Sequence, residues 1–188
     1  MKRLVLPALF ILAGCGGGPQ PADWQLDAAQ SMGLFQRYYL SGDARADAEF
    51  LAARRALAST GREDLVARAE LVRCAVRTAS LEFDECPGFL ALRPGAAPAE
   101  IAYWEYLIGK RERAAPAEPL GRLVAAGVQL RRKTIRPETI AEAVEAASTQ
   151  GWRRALLAWL GVQEQRAREA GDADAAARIR RRMDLVSG

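Results

Sequence analysis

The chain has 188 residues, 50% hydrophobic and 27% charged, with 27 Lys and Arg against 23 Asp and Glu; this is one folded domain of ordinary composition, neither disordered nor fibrous. Thirty-eight residues are Ala, whereas Val, Ile and Thr together number 20, which favours an all-helical fold, because Ala is the strongest helix former and β-branched side chains prefer strands. There is no histidine, so imidazole-based catalysis, His-ligated zinc and covalently attached haem are excluded, and no cofactor is expected.

At the start of the chain, Lys2 and Arg3 precede an apolar run from Leu4 to Ala13 that ends in Leu12-Ala13-Gly14-Cys15. The run is too short to span a bilayer and has the layout of a secretory leader. Residues 1–16 resemble the lipobox signal peptide of bacterial lipoproteins. That resemblance implies a leader over 1–14, cleavage before Cys15 and acylation of Cys15, which would anchor the protein to a membrane by two or more chains. Loss of Lys2 and Arg3 leaves 25 basic against 23 acidic residues, so a nearly neutral, exported chain is not expected to bind nucleic acid. Gly16 in place of Asp implies, by the enteric sorting rule, the periplasmic face of the outer membrane, with the inner membrane as the alternative. Residues 15–22, with Gly16-Gly17-Gly18-Pro19, read as the lipidated Cys and a short flexible tether.

From residue 23 to residue 188 the sequence predicts one helical domain, punctuated by Gly, Asp and Pro. The spacing of Trp24, Ala28, Met32, Phe35 and Tyr39 predicts a helix over 24–40, stopped by Gly42, and Ala46, Phe50, Ala53 and Leu57 predict a second over 44–59. The third, 63–82, carries two apolar stripes, one running from Leu65 to Phe83 and one from Ala67 through Leu71 and Cys74 to Leu81. It is therefore expected to be covered on two sides and to lie centrally. Pro87-Gly88 and Pro94-Gly95 mark an irregular stretch over 84–97. Five further helices are predicted over 98–111, 117–131, 137–149, 152–169 and 173–186, three of them opening on Pro near the first turn, where its missing N–H costs nothing.

Eight helices on short connections predict a stack of antiparallel helical hairpins. The turns Leu40-Ser41-Gly42-Asp43-Ala44 and Glu169-Ala170-Gly171-Asp172-Ala173 resemble those of tetratricopeptide repeats. The first-helix signature of such repeats does not align and no 34-residue period emerges, so an irregular helical bundle stands beside that resemblance.

With Cys15 assigned to lipid, Cys74 and Cys86 form an even pair, expected as a disulfide in an oxidising compartment. The bridge requires the third helix to end near Leu81, so that 84–92 can fold back over Cys74. The pair lacks CxxC spacing and a third soft ligand, so no metal site is expected. The acidic turn Glu82, Asp84 and Glu85 lacks the order of a calcium loop.

No Glu is followed by Ser, as it is in the helical lipoprotein transglycosylases, and no catalytic constellation emerges. The expectation is a non-enzymatic, lipid-anchored scaffold or adaptor with an envelope protein partner. The competing expectation is a peptidoglycan-active enzyme using Glu100 or Glu105. Candidate partner-binding residues are Tyr103 and Trp104 on an aromatic helix, and Arg178, Arg181 and Arg182 near the C-terminus, whose guanidinium groups match phosphate or carboxylate bidentately.

Overall fold

A computed structural model describes residues 20–114 and 116–188; Cys15, with the leader and the lipid attachment expected of it, lies outside the described residues. Among the described residues the fold is all-helical, without strands. The helices are α1 (Asp23–Ser41), α2 (Ala46–Ala58), α3 (Glu63–Ala79), the single turn α4 (Pro87–Leu90), α5 (Pro98–Leu107), α6 (Pro119–Arg131), α7 (Pro137–Thr149), α8 (Arg153–Glu169) and α9 (Ala173–Ser187). Their starts follow local chemistry. Pro occupies the first turn of α5, α6 and α7, and the Asp172 carboxylate accepts the Ala175 N–H at 2.8 Å to cap α9.

The consecutive pairs α1–α2, α6–α7, α7–α8 and α8–α9 pack as hairpins, whereas α6 packs chiefly on α3. Gly42, at φ +77°, makes the left-handed step between α1 and α2 that a side chain would oppose. Helix α3 is central, touching α1, α2, α4, α5 and α6, and its buried face includes Ala67, Leu71, Cys74 and Val76. The core runs through Phe35 and Phe50, Phe89, Leu107 and Leu123, and Trp159 and Leu160. Helix α8 packs on α7 and α9 and also back on α1. In an open solenoid each repeat touches only its neighbours; the contact of α1 with α8 gives this stack the closed form of an irregular bundle.

Four boundaries differ from the sequence expectation by two residues or more, among them the start of α2, at Ala46 rather than 44. Helix α3 stops at Ala79 rather than 82, because Leu81 takes a left-handed conformation (φ +62°) and the Glu82 N–H turns back to the Arg77 carbonyl at 2.9 Å. Phe83, expected on the buried stripe, consequently leaves it and is 39% exposed. Helix α5 ends at Leu107 rather than 111, since Gly109 at φ +82° allows the chain to reverse. Helix α6 begins at Pro119, two residues later than expected. The stretch 84–97 is not wholly irregular: it holds α4 and a 3-10 turn over Arg93–Gly95.

Candidate functional site

Cys74 and Cys86 are joined, with Cα atoms 5.5 Å apart. The left-handed turn at Leu81 brings the chain back, and Cys86 itself sits at φ +57° beneath α4. Asp84 secures this return. Its Oδ1 accepts the Cys86 N–H at 2.8 Å, and its Oδ2 pairs with Arg77 at 2.7 Å. Arg131 adds a tie, donating to the Asp84 carbonyl at 2.7 Å and pairing with Glu85. The acidic turn is thus neutralised by arginines from α3 and α6. The Asp84 carboxylate and both sulfurs lie within 4.8 Å of one another, but a metal takes thiolates, and here the two sulfurs are bonded to each other.

The aromatic helix faces inward. Trp104 is 7% exposed, packs on Phe89 at 6.1 Å between ring centres, and donates its indole N–H to the Glu85 carbonyl at 3.1 Å. Its burial, its contact with Phe89 and its one donor are committed to the fold, so it is placed as a packing residue rather than as a surface stacker. Tyr103 is half-buried and stacks on Tyr106 at 5.9 Å, with the Arg113 guanidinium 5.2 Å from its ring centre. Burial pushes the Tyr103 phenol upward and that of Tyr106 to about 12, so both remain neutral donors over the physiological range.

The two candidate carboxylates have structural partners. Glu100 is buried, pairs with Arg68 at 3.0 Å and accepts the Ala97 N–H at 2.8 Å at the start of α5. Glu105 pairs with Arg111 at 2.7 Å on the surface. The structure does not bring them together into a shared cleft: neither lines the cavities described below.

On α9, Arg178, Arg181 and Arg182 are exposed and carry no ion pair among the described residues; Arg182 donates to the Ser148 hydroxyl at 3.0 Å. At about 100° per residue these three and Leu185 fall within about 100° of the helix circumference. Leu185 is 83% exposed. The opposite side of α9 packs Ile179, Met183 and Val186 against the core. Arg180 and Arg168 both pair with buried Glu164, at 2.9 and 2.7 Å, and so belong to the α8–α9 interface.

Two cavities that share Tyr106 of α5 lie along α6. One, of about 290 Å³, is walled by Val72 and Ala75 of α3, Tyr103 and Tyr106 of α5, and Leu120 and Val124 of α6. The next, of about 330 Å³, is polar and includes Glu112, Arg113, Arg132 and Arg136. Tyr106 and Arg113 line both. Sequence reasoning offered none of Tyr106, Arg113, Arg132 and Arg136 as site residues. Of these, Arg132 alone carries a sequence signal, closing the row Gly121, Ala125 and Val128 at the C-terminal cap of α6.

Compared with known protein families, curated proteins and solved structures, the chain matches none of them. Among the described residues no helix is long and apolar enough to cross a membrane.

Proposed function

We propose that this protein is a lipid-anchored, non-enzymatic scaffold of the bacterial cell envelope. It is held at the periplasmic face of the outer membrane through an acylated Cys15 and presents the outer face of α9 to an acidic envelope protein. The observation that carries the partner-binding part is the α9 face: three exposed arginines and the largely exposed Leu185 share one arc while the helix's other side is packed. A protruding apolar side chain among guanidinium groups suits a protein surface that offers carboxylates around an apolar contact. The lipobox residues Leu12-Ala13-Gly14-Cys15 support the anchoring part, and the tether would keep that contact close to the membrane.

In-cell cross-linking tests the partner. Replacing Arg178, Arg181 and Arg182 by Gln, together with Leu185→Ser, should remove the captured protein without changing the melting temperature. Full recovery of the same partner by this variant would place the contact elsewhere. Mass spectrometry of the membrane-extracted protein tests the anchor separately: an acylated N-terminal Cys15 is expected, and a mature chain retaining residues 1–14 would refute it.

A further inference from the structure

The two cavities along α6 meet at Tyr106 and Arg113, and they differ in character. The first is walled by aliphatic and aromatic side chains and offers one rim cation, Arg113. Its rim carboxylate, Glu118, stands at the N-terminus of α6, where the helix dipole balances it. In the second, Arg113, Arg132 and Arg136 face the single carboxylate Glu112, which pairs with Arg132 at 2.8 Å. Arg113 and Arg136 have no ion pair among the described residues, leaving two unmatched cations. From Leu120 to Arg132 the shared wall of α6 is about 18 Å long at 1.5 Å per residue. One end is therefore apolar and the other cationic.

We propose that this groove binds a single-chain anionic amphiphile, with its alkyl chain against Val72, Tyr103, Leu120 and Val124 and its oxyanion head between Arg113 and Arg136. Two features favour this occupant. The excess positive charge is confined to one end, and a guanidinium pair matches a phosphate or carboxylate head bidentately. The apolar end adjoins the polar one, so a ligand with both parts fills both cavities where a purely apolar or purely ionic one fills half. Helices α5 and α6 touch only sparingly, and the two cavities share Tyr106 and Arg113 as lining. The inference stands whether or not Cys15 carries lipid.

The test is calorimetric titration of the full chain carrying Cys15→Ser with dodecyl phosphate below its micelle concentration. Saturable binding of one molecule per chain is expected. Neutral dodecyl maltoside should bind about tenfold more weakly or worse, and inorganic phosphate should show no saturable binding. The double variant Arg113→Gln and Arg136→Gln, both at exposed positions, should lower the affinity for dodecyl phosphate about tenfold or more with unchanged helix content. Leu120→Gln should lower it from the apolar side. Absence of saturable binding, equal binding of inorganic phosphate, or indifference to both sets of substitutions would overturn the proposal.

Discussion

The indole N–H of Trp159 donates to the carbonyl oxygen of Ala79, 3.0 Å away, joining α8 to the last residue of α3 across 80 positions of sequence. The last carbonyls of a helix have no partner within it, and Trp159 is fully buried, so water is not available to serve instead. Trp159→Phe keeps most of the packing but leaves the Ala79 carbonyl unpaired, and should lower unfolding stability by about 1–3 kcal/mol. Trp159→Ala should cost about 3–5 kcal/mol. Urea denaturation measures both; equal effects would mean that packing alone matters.

Helices α3 and α6 approach closely where α6 carries glycine. A Cβ added at Gly127 would overlap the Thr78 carbonyl oxygen and come within 3.0 Å of the Thr78 Cγ2. Gly161 in α8 has nothing within 4 Å of the same position. Ala is favoured over Gly in a helix interior by about 1 kcal/mol, so Gly161→Ala should stabilise the protein by up to that amount. Gly127→Ala should destabilise it by about 1–3 kcal/mol, because the obstructing atom is backbone. Thermal melts of the pair should shift in opposite directions, and a shift of the same sign would contradict the close α3–α6 approach.

Cys74 and Cys86 enclose a loop of 12 sequence steps. Opening it frees the unfolded chain and should cost about 2–3 kcal/mol. Non-reducing peptide mapping should recover the joined peptides. Adding a phosphine reductant should lower the melting temperature of the wild type and leave a Cys74→Ala, Cys86→Ala variant unaffected.

Tyr39 is buried and donates its hydroxyl to Glu82 at 2.6 Å; burial first, and then this carboxylate, raise its phenol well above the usual value. The folded state therefore holds the proton more tightly than the unfolded one. Its contribution is complete below about pH 10, the unfolded value, and is lost as pH rises above it. Tyr39→Phe should cost about 1 kcal/mol at neutral pH through the lost hydrogen bond. It should also flatten the decline in stability above pH 10. Tyr103 and Tyr106, shifted the same way, keep a residual slope. A pH series of melts checks this, and an unchanged alkaline slope in Tyr39→Phe would contradict it.

Features with a local cause were legible in the sequence. Pro137-Glu138 and the spacing of Ile140, Val144 and Ala147 mark a helix over 137–149, and α7 spans Pro137–Thr149. The double stripe on α3 places it at the centre, and the even pair of cysteines is joined. What eluded the sequence arises from distant partners. The left-handed turn at Leu81 carries no glycine to announce it, and it is held by Arg131 reaching Asp84 from 47 positions away. Phe83 reads as helical only while α3 is assumed to continue. Trp104 on a short aromatic helix reads equally as a surface or core residue until Glu85 supplies its acceptor. The α6 groove draws on α3, α5, α6 and, between the last two, Glu112, Arg113, Pro116 and Glu118, and no periodicity within one helix encodes such a convergence.

The packing of α1 against α8 also governs when the domain can finish folding. As the chain emerges from its N-terminus, α1, α2 and α3 can pair early, since their contacts are near in sequence. Yet the α3 end at Ala79 and the α1 surface wait for residues 153–169. Until those residues are delivered, the nascent chain holds an unfinished edge that a trapped or truncated product would expose. Chains stopped before α8 should therefore be degraded or aggregate rather than persist as a smaller stable unit, whereas an open repeat array would tolerate the same loss.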